Sequence, residues 1–226
     1  MGNQNRFSSR NKTRYMTTIG MLCAIAYVFS LIGHFVPIRF NGFLSYDPKD
    51  AIIAISGLAL GPLSSLIISV VVSFLELITI STTGFIGLLM NIISSVAFSC
   101  IAAIIYKYRK SIGGAVLGLA LSSVATVVLM ILWNYLITPF YMGVPRDVIA
   151  SMILPVFLPF NVIKCGLNAA LTMLIYKPCV RAMRSVGLIK STAKTGKSQS
   201  KRTNIVVSVV SASIIGILVA LYVILK

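Results

Sequence analysis

Glu76 and Lys164 are ionisable side chains set in long apolar stretches, and Asn91, Asn134, Asn161 and Asn168 lie in stretches of the same kind. A charge at the centre of a membrane helix costs about 2.5–3.5 kcal/mol, so each needs a partner or a wet cavity. Asn161, Lys164 and Asn168 follow i, i+3, i+7 spacing, which is one face of a helix. An asparagine side chain offers one acceptor and two donors, and a lysine offers donors only. Such groups match a neutral heterocycle with imide edges better than a strong anion, which calls for an arginine cluster. Catalytic parts are missing: there is no Ser/His/Asp grouping, no His-Glu-x-x-His, no paired carboxylates on a helix and no phosphate-binding P-loop. Any energy for pumping must therefore come from a gradient or a partner.

The elements that position these residues follow from composition and breakers. The chain has 226 residues, is 58% hydrophobic and 11% charged, and carries a net charge of +16. Soluble domains are nearer half apolar and about a quarter charged, which leaves a polytopic membrane protein as the class. Residues 16–36 read as a retained first helix, too long and too uncleavable for a signal peptide. A loop over 37–47 precedes an apolar run over 48–80, which would be roughly 50 Å long as one helix. Gly61-Pro62 divides it, because proline removes a donor and glycine permits a turn. Asp47 and Pro48 then supply an N-cap and a first-turn proline for a short second helix. The third, fourth and fifth helices are expected over about 63–80, 85–106 and 114–138. A loop over 140–151 leads to a sixth over 152–176, bent at Pro155 and Pro159. Residues 190–203 read as a basic flexible linker, and 204–225 as an additional candidate span.

Bases set the orientation. The N-terminus over 1–15 carries four, the turn after the fourth helix three, and the stretch over 177–202 eight, which makes fifteen of the 20. By the positive-inside rule these segments are cytoplasmic, and helix parity agrees. Arg39, Lys49 and Arg146 remain on the outer side. Membrane topology, rather than nucleic-acid binding, accounts for the charge. Cys23, Cys100, Cys165 and Cys179 are scattered and read as small buried hydrophobes. His34, the one histidine, has no neighbouring ligand set and reads as an interfacial residue, so no metal site is expected.

With this topology Glu76, Asn91, Asn134, Asn161 and Lys164 all fall in the outer half. Any one asparagine reads as interhelical glue, and Glu76 could simply neutralise Lys164. The set, on four helices at one depth, reads as a ligand site opening outward. Phe40, Phe43 and Tyr46 in the first loop suit a cap for a planar ligand.

Several strings carry a family resemblance. They are Leu44-Ser45-Tyr46-Asp47-Pro48-Lys49-Asp50, Gly61-Pro62-Leu63, Ile78-Thr79-Ile80-Ser81-Thr82-Thr83-Gly84, Trp133-Asn134-Tyr135-Leu136-Ile137-Thr138-Pro139, Tyr141-Met142-Gly143-Val144-Pro145-Arg146 and Leu154-Pro155-Val156-Phe157-Leu158-Pro159-Phe160-Asn161-Val162-Ile163-Lys164. Together they resemble the riboflavin-binding S components of energy-coupling-factor (ECF) transporters, over about residues 16–189. The resemblance implies an all-α, six-helix membrane bundle, here with one extra C-terminal helix, in a bacterial plasma membrane with its N-terminus cytoplasmic. It implies a binding subunit rather than an enzyme, with riboflavin as transported ligand and no cofactor. Its partners would be a transmembrane coupling subunit and two ATPase subunits. Ligand contacts would fall on Asn134, Asn161 and Lys164, with the loop around Leu44 and Tyr46 closing over the flavin. Glu76 or Asn91 would meet the ribityl hydroxyls. Gly20 and Ala24, four apart on the first helix, would pack against the coupling subunit. Another neutral vitamin, a stand-alone carrier and an intramembrane enzyme using Glu76 are the competing readings.

Overall fold

The computed structural model describes residues 2–35, 39–40 and 44–185, together with Gly216. The expected linker over 190–203 lies outside the described residues, as does the candidate span over 204–225 apart from Gly216. Helix α1 runs Gly2–Phe35, so the polar N-terminal stretch is helical and continuous with the first span, whose membrane-length apolar part lies within 12–35. Two-residue strands β1 (Arg39–Phe40) and β2 (Leu44–Ser45) pair antiparallel, Phe40 opposite Leu44. Then come α2 (Lys49–Leu60), α3 (Pro62–Thr79), α4 (Gly84–Tyr108) and α5 (Ile112–Leu136).

The stretch expected as a loop over 140–151 is mostly helical: α6 is Thr138–Met142 and α7 is Arg146–Met152. Pro139 sits in the first turn of α6, and Gly143 with φ 66° ends it, so both short helices follow from ordinary punctuation. A π-helical turn, Ile153–Phe157, joins α7 to α8 (Leu158–Ser185). The widened turn accommodates Pro155, whose missing N–H interrupts the normal ladder. Among the described residues five segments are long and apolar enough to cross a membrane, within 12–35, 62–79, 84–108, 112–136 and 146–183.

Helix α2 occupies the middle. It packs against α1, α3, α4 and α8, and every residue from Lys49 to Leu58 is buried. At twelve residues it is about 18 Å long, too short to reach from one interface to the other. One core cluster joins Leu22 and Ala26 of α1, Ile52, Ile53 and Ile55 of α2, Ile68 and Val72 of α3 and Met183 of α8. A second joins Ala54, Phe98, Ala102, Leu119 and Cys165. Helices α4 and α5 approach closely where a Cβ on Gly118 would stand 2.9 Å from the Ala102 carbonyl oxygen. Small residues permit that approach, since lipid supplies no hydrophobic push between helices. Large apolar side chains such as Phe74, Val124 and Leu132 face outward, where lipid takes the place of core.

Gly61 turns α2 into α3 with φ 105° and ψ 169°, a region that only glycine adopts readily. Gly61→Ala is expected to cost about 1–3 kcal/mol, seen as a lower melting temperature of purified protein in detergent. Gly20→Ala, inside α1 where an added Cβ meets nothing within 4 Å, is the comparison and is expected not to lower it.

Candidate functional site

Asn91, Asn134, Asn161 and Lys164 converge on one cavity, lined also by Met90, Ser94, Met130 and Phe160. The empty space between these residues, open solvent at the mouth included, is about 340 Å³. The four polar residues come from three helices. Asn91 lies about two turns into α4, Asn134 within the last turn of α5, and Asn161 and Lys164 in the first two turns of α8. All three positions are at the end of the bundle that carries the α1–α2 connection.

The amides are braced before any ligand arrives. Asn134 donates through Nδ2 to the Met130 carbonyl at 2.8 Å and accepts from Thr138 Oγ1 at 3.0 Å. Asn161 donates to the Phe157 carbonyl at 2.8 Å. Each amide nitrogen carries two hydrogens, so each retains a second donor in a fixed position.

Lys164 is only 14% exposed at its side chain, and its ammonium lies 3.6 Å from Asp50 Oδ2. Ser95 donates to the other oxygen of Asp50. Glu76 does not pair with Lys164. Its partner is Lys49, whose Nζ donates to Oε1 at 2.6 Å, and Ser30 also donates to Oε1. Lys49, expected on the outer side, is instead buried, with 1% of its side chain exposed. The same ammonium bridges to Asp47 Oδ2 at 2.8 Å, and Asp47 Oδ1 accepts the Lys49 backbone N–H at 3.0 Å. Asn91 Nδ2 donates to Glu76 Oε2 at 3.1 Å, so Glu76 stands behind a cavity residue rather than among those lining the cavity.

Tyr46 does not line the cavity either. Its hydroxyl donates to Asn168 Oδ1 at 3.0 Å, and Asn168 Nδ2 donates to the Asp47 carbonyl at 3.2 Å. Burial, reinforced by the Asp50 and Asp47 charges, pushes the Tyr46 phenol above its ordinary range, so it remains a neutral donor. For Asp47, burial alone would raise the carboxyl. The Lys49 and Lys164 charges, with hydrogen bonds from Lys49, outweigh it and hold the group below the usual carboxylate range. Leu44 takes its place in β2, and its side chain lies outside the described residues. Gly20 and Ala24 lie on an exposed face of α1, away from the cavity.

Asp47, Lys49 and Asp50, which pair with one another, Glu76 and Lys164 behind the cavity, are the residues of this site that sequence reasoning missed. A helix too short to span signalled a buried element, but its length does not say which way the charges at its start face.

The family model described as ECF transporter, substrate-specific component, matches residues 14–176. The riboflavin transporter RibU of Staphylococcus aureus (strain TCH60) is 24% identical over an alignment of 190 residues that covers 81% of this chain and all of the relative. The riboflavin transporter FmnP of Bacillus subtilis (strain 168) is 27% identical over an alignment of 186 residues that covers 77% of this chain and 97% of the relative. A solved S component of a bacterial ECF transporter superposes with a TM-score of 0.65 at 23% identity, covering 76% of this chain and 99% of its own.

Lys49→Met leaves Glu76 and Asp47 without their shared cation and is expected to cost roughly 3–5 kcal/mol of stability, read by thermal unfolding in detergent. Adding Glu76→Gln to it should restore part of the loss; a single variant as stable as the parent would remove Lys49 from this role. Because the Asp47 carboxyl is held low, its contribution is present above its unfolded pKa of about 4 and is lost as pH falls through the folded value. Melting temperature should therefore drop less steeply below about pH 4 in Asp47→Asn than in the parent.

Proposed function

The chain belongs to the ECF transporter substrate-specific component family, and on that premise we propose that it captures riboflavin from outside the cell for ATP-driven import. One observation carries this reading: Asn91, Asn134, Asn161 and Lys164 line a single cavity. Uncharged amides with one flanking ammonium suit a ring system that alternates N–H and C=O groups along one edge. The second amide hydrogens of Asn134 and Asn161 would meet ring acceptors, and Lys164 would donate to another. Met90, Met130 and Phe160 supply flat or pliable apolar walls for a tricyclic ring. The ribityl hydroxyls would meet Asn91, with Glu76 holding that amide in place. The backbone around Leu44 and Tyr46 would close over the ligand.

The chain would sit in a bacterial plasma membrane with its N-terminus cytoplasmic. A transmembrane coupling subunit and two ATPase subunits would supply the energy, in keeping with a sequence that holds no P-loop. Gly20 and Ala24 would face the coupling subunit: both are exposed on α1, and a Cβ on Gly20 would touch nothing, so the face is open to close helix packing.

Titration of purified protein should quench flavin fluorescence at micromolar riboflavin, and no quenching would sink the proposal. Lys164→Met should weaken binding at least about tenfold, or about 1.4 kcal/mol, while membrane insertion is retained. Asn134→Ala and Asn161→Ala should each weaken it by a similar order. Unchanged affinity in all three would move the ligand elsewhere.

A further inference from the structure

We infer that the end of the bundle opposite the cavity is a binding surface for anionic phospholipid headgroups. The chain has four acidic side chains, Asp47, Asp50, Glu76 and Asp147. Asp47, Asp50 and Glu76 belong to the network behind the cavity, and Asp147 is on α7 at that same end of the bundle. The other end therefore carries no acidic side chain, yet it gathers bases from three separate elements. Lys12 and Arg14 are exposed on α1, Lys107, Arg109 and Lys110 at the α4–α5 turn, and Arg181 on α8.

Packing brings these elements together. Tyr15 of α1 and Tyr176 of α8 pack against the same core cluster. Tyr106 of α4 meets Tyr176 with hydroxyls 3.1 Å apart and rings edge to face at 6.2 Å. The bases thus form a collar around a set of tyrosines, with Tyr108 84% exposed at its rim. Tyrosine rings favour the headgroup level of a bilayer, and basic clusters beside membrane helices attract anionic lipid. Orienting the chain requires only an excess of bases at this end. A collar with no acid in reach has a further property: intramolecular ion pairs cannot neutralise it. A phosphodiester headgroup supplies the missing negative charge at the depth where the tyrosines hold the ring of bases.

The test is lipid retention from mixed micelles, read by native mass spectrometry of the full chain. Dioleoylphosphatidylglycerol and dioleoylphosphatidylcholine are supplied in equal amounts. The parent should retain the glycerol lipid over the choline lipid by at least about threefold, and the preference should shrink at high salt. Arg109→Gln with Lys110→Gln and Arg181→Gln should bring the ratio close to one. Lys12→Gln with Arg14→Gln, on a different helix, provides a second variant should the triple one fail to insert. Arg146→Gln, at the cavity end, should leave the ratio as in the parent. Equal retention of the two lipids by the parent overturns the inference, as does an undiminished preference in the inserted variants. Loss of the preference in millimolar inorganic phosphate would assign the collar to free phosphate and overturn the lipid source. Equal lipid retention, together with weaker co-purification of an acidic partner subunit in the variants, would assign the surface to protein instead. None of these readouts involves riboflavin, so failure here is distinguishable from failure of the proposed ligand.

Discussion

One ammonium group holds the cavity end of this bundle together. Lys49 is buried among apolar helices where an isolated charge is costly, and it is tolerated because Glu76 and Asp47 take it from two sides. Those contacts tie three segments at once: the start of α2, the last turn of α3 and the connection that follows β2. Ser30 extends the tie to α1 and Asn91 extends it to α4. Helix α2 can therefore be short. A twelve-residue apolar helix has no interface to anchor its ends, so its position depends on the ion pairs at its start, the Gly61 turn at its end and packing all round.

A division of labour follows between charged and neutral groups. Lys49, Glu76 and Asp47 form a frame that stands outside the cavity lining, whereas Asn91, Asn134 and Asn161 face inward. Lys164 belongs to both, since it lines the cavity and leans on Asp50, which Ser95 also holds. Each inward group is oriented by a bond to the protein before it meets a ligand. That order of events matters energetically, because side chains already fixed lose little freedom on binding. The π-helical turn contributes in the same way: it brings Phe157 to the start of α8, where its carbonyl fixes Asn161.

Much of this arrangement was legible from residue types alone. Gly61-Pro62 marked the break between α2 and α3 because no L-residue other than glycine adopts φ 105° with ψ 169° easily. Three of the four asparagines in apolar stretches line the cavity, because hydrocarbon offers them no partner; the fourth, Asn168, bonds Tyr46 and Asp47 instead. The identity of the ion pairs was not legible. Lys49 is one residue past Pro48 at the edge of a loop, and short-range pattern alone cannot say whether such a lysine points to water or inward. Pairing Glu76 with Lys164 was the natural guess, both being charges in spans, but pairing depends on which helix lies between them. Helix α2 does, and it brings its own charges. The two short helices over 138–152 escaped notice for a different reason: five and seven residues are too few for hydropathy periodicity to register.

The signs of the buried charges bear on what the cavity can accept. Asp47, Asp50 and Glu76 oppose Lys49 and Lys164, so the network behind the cavity has one more acid than base. Lys164, the one cation among the described residues that line the cavity, is already partly neutralised by Asp50. An anion entering here would gain little from that lysine, whose ammonium already faces Asp50, and would stand close to carboxyl groups in a low-dielectric surrounding. A neutral ring system meets no such opposition and gains directional hydrogen bonds from the amides. The cavity end of the bundle is thus biased toward uncharged ligands by the groups that hold it together, with no separate device for rejecting anions. The opposite end carries the reverse imbalance, where bases gather without a single acid. Segregating the acids toward the cavity end therefore does two things: it shapes a cavity for a neutral molecule, and it leaves a surface that only outside negative charge can complete.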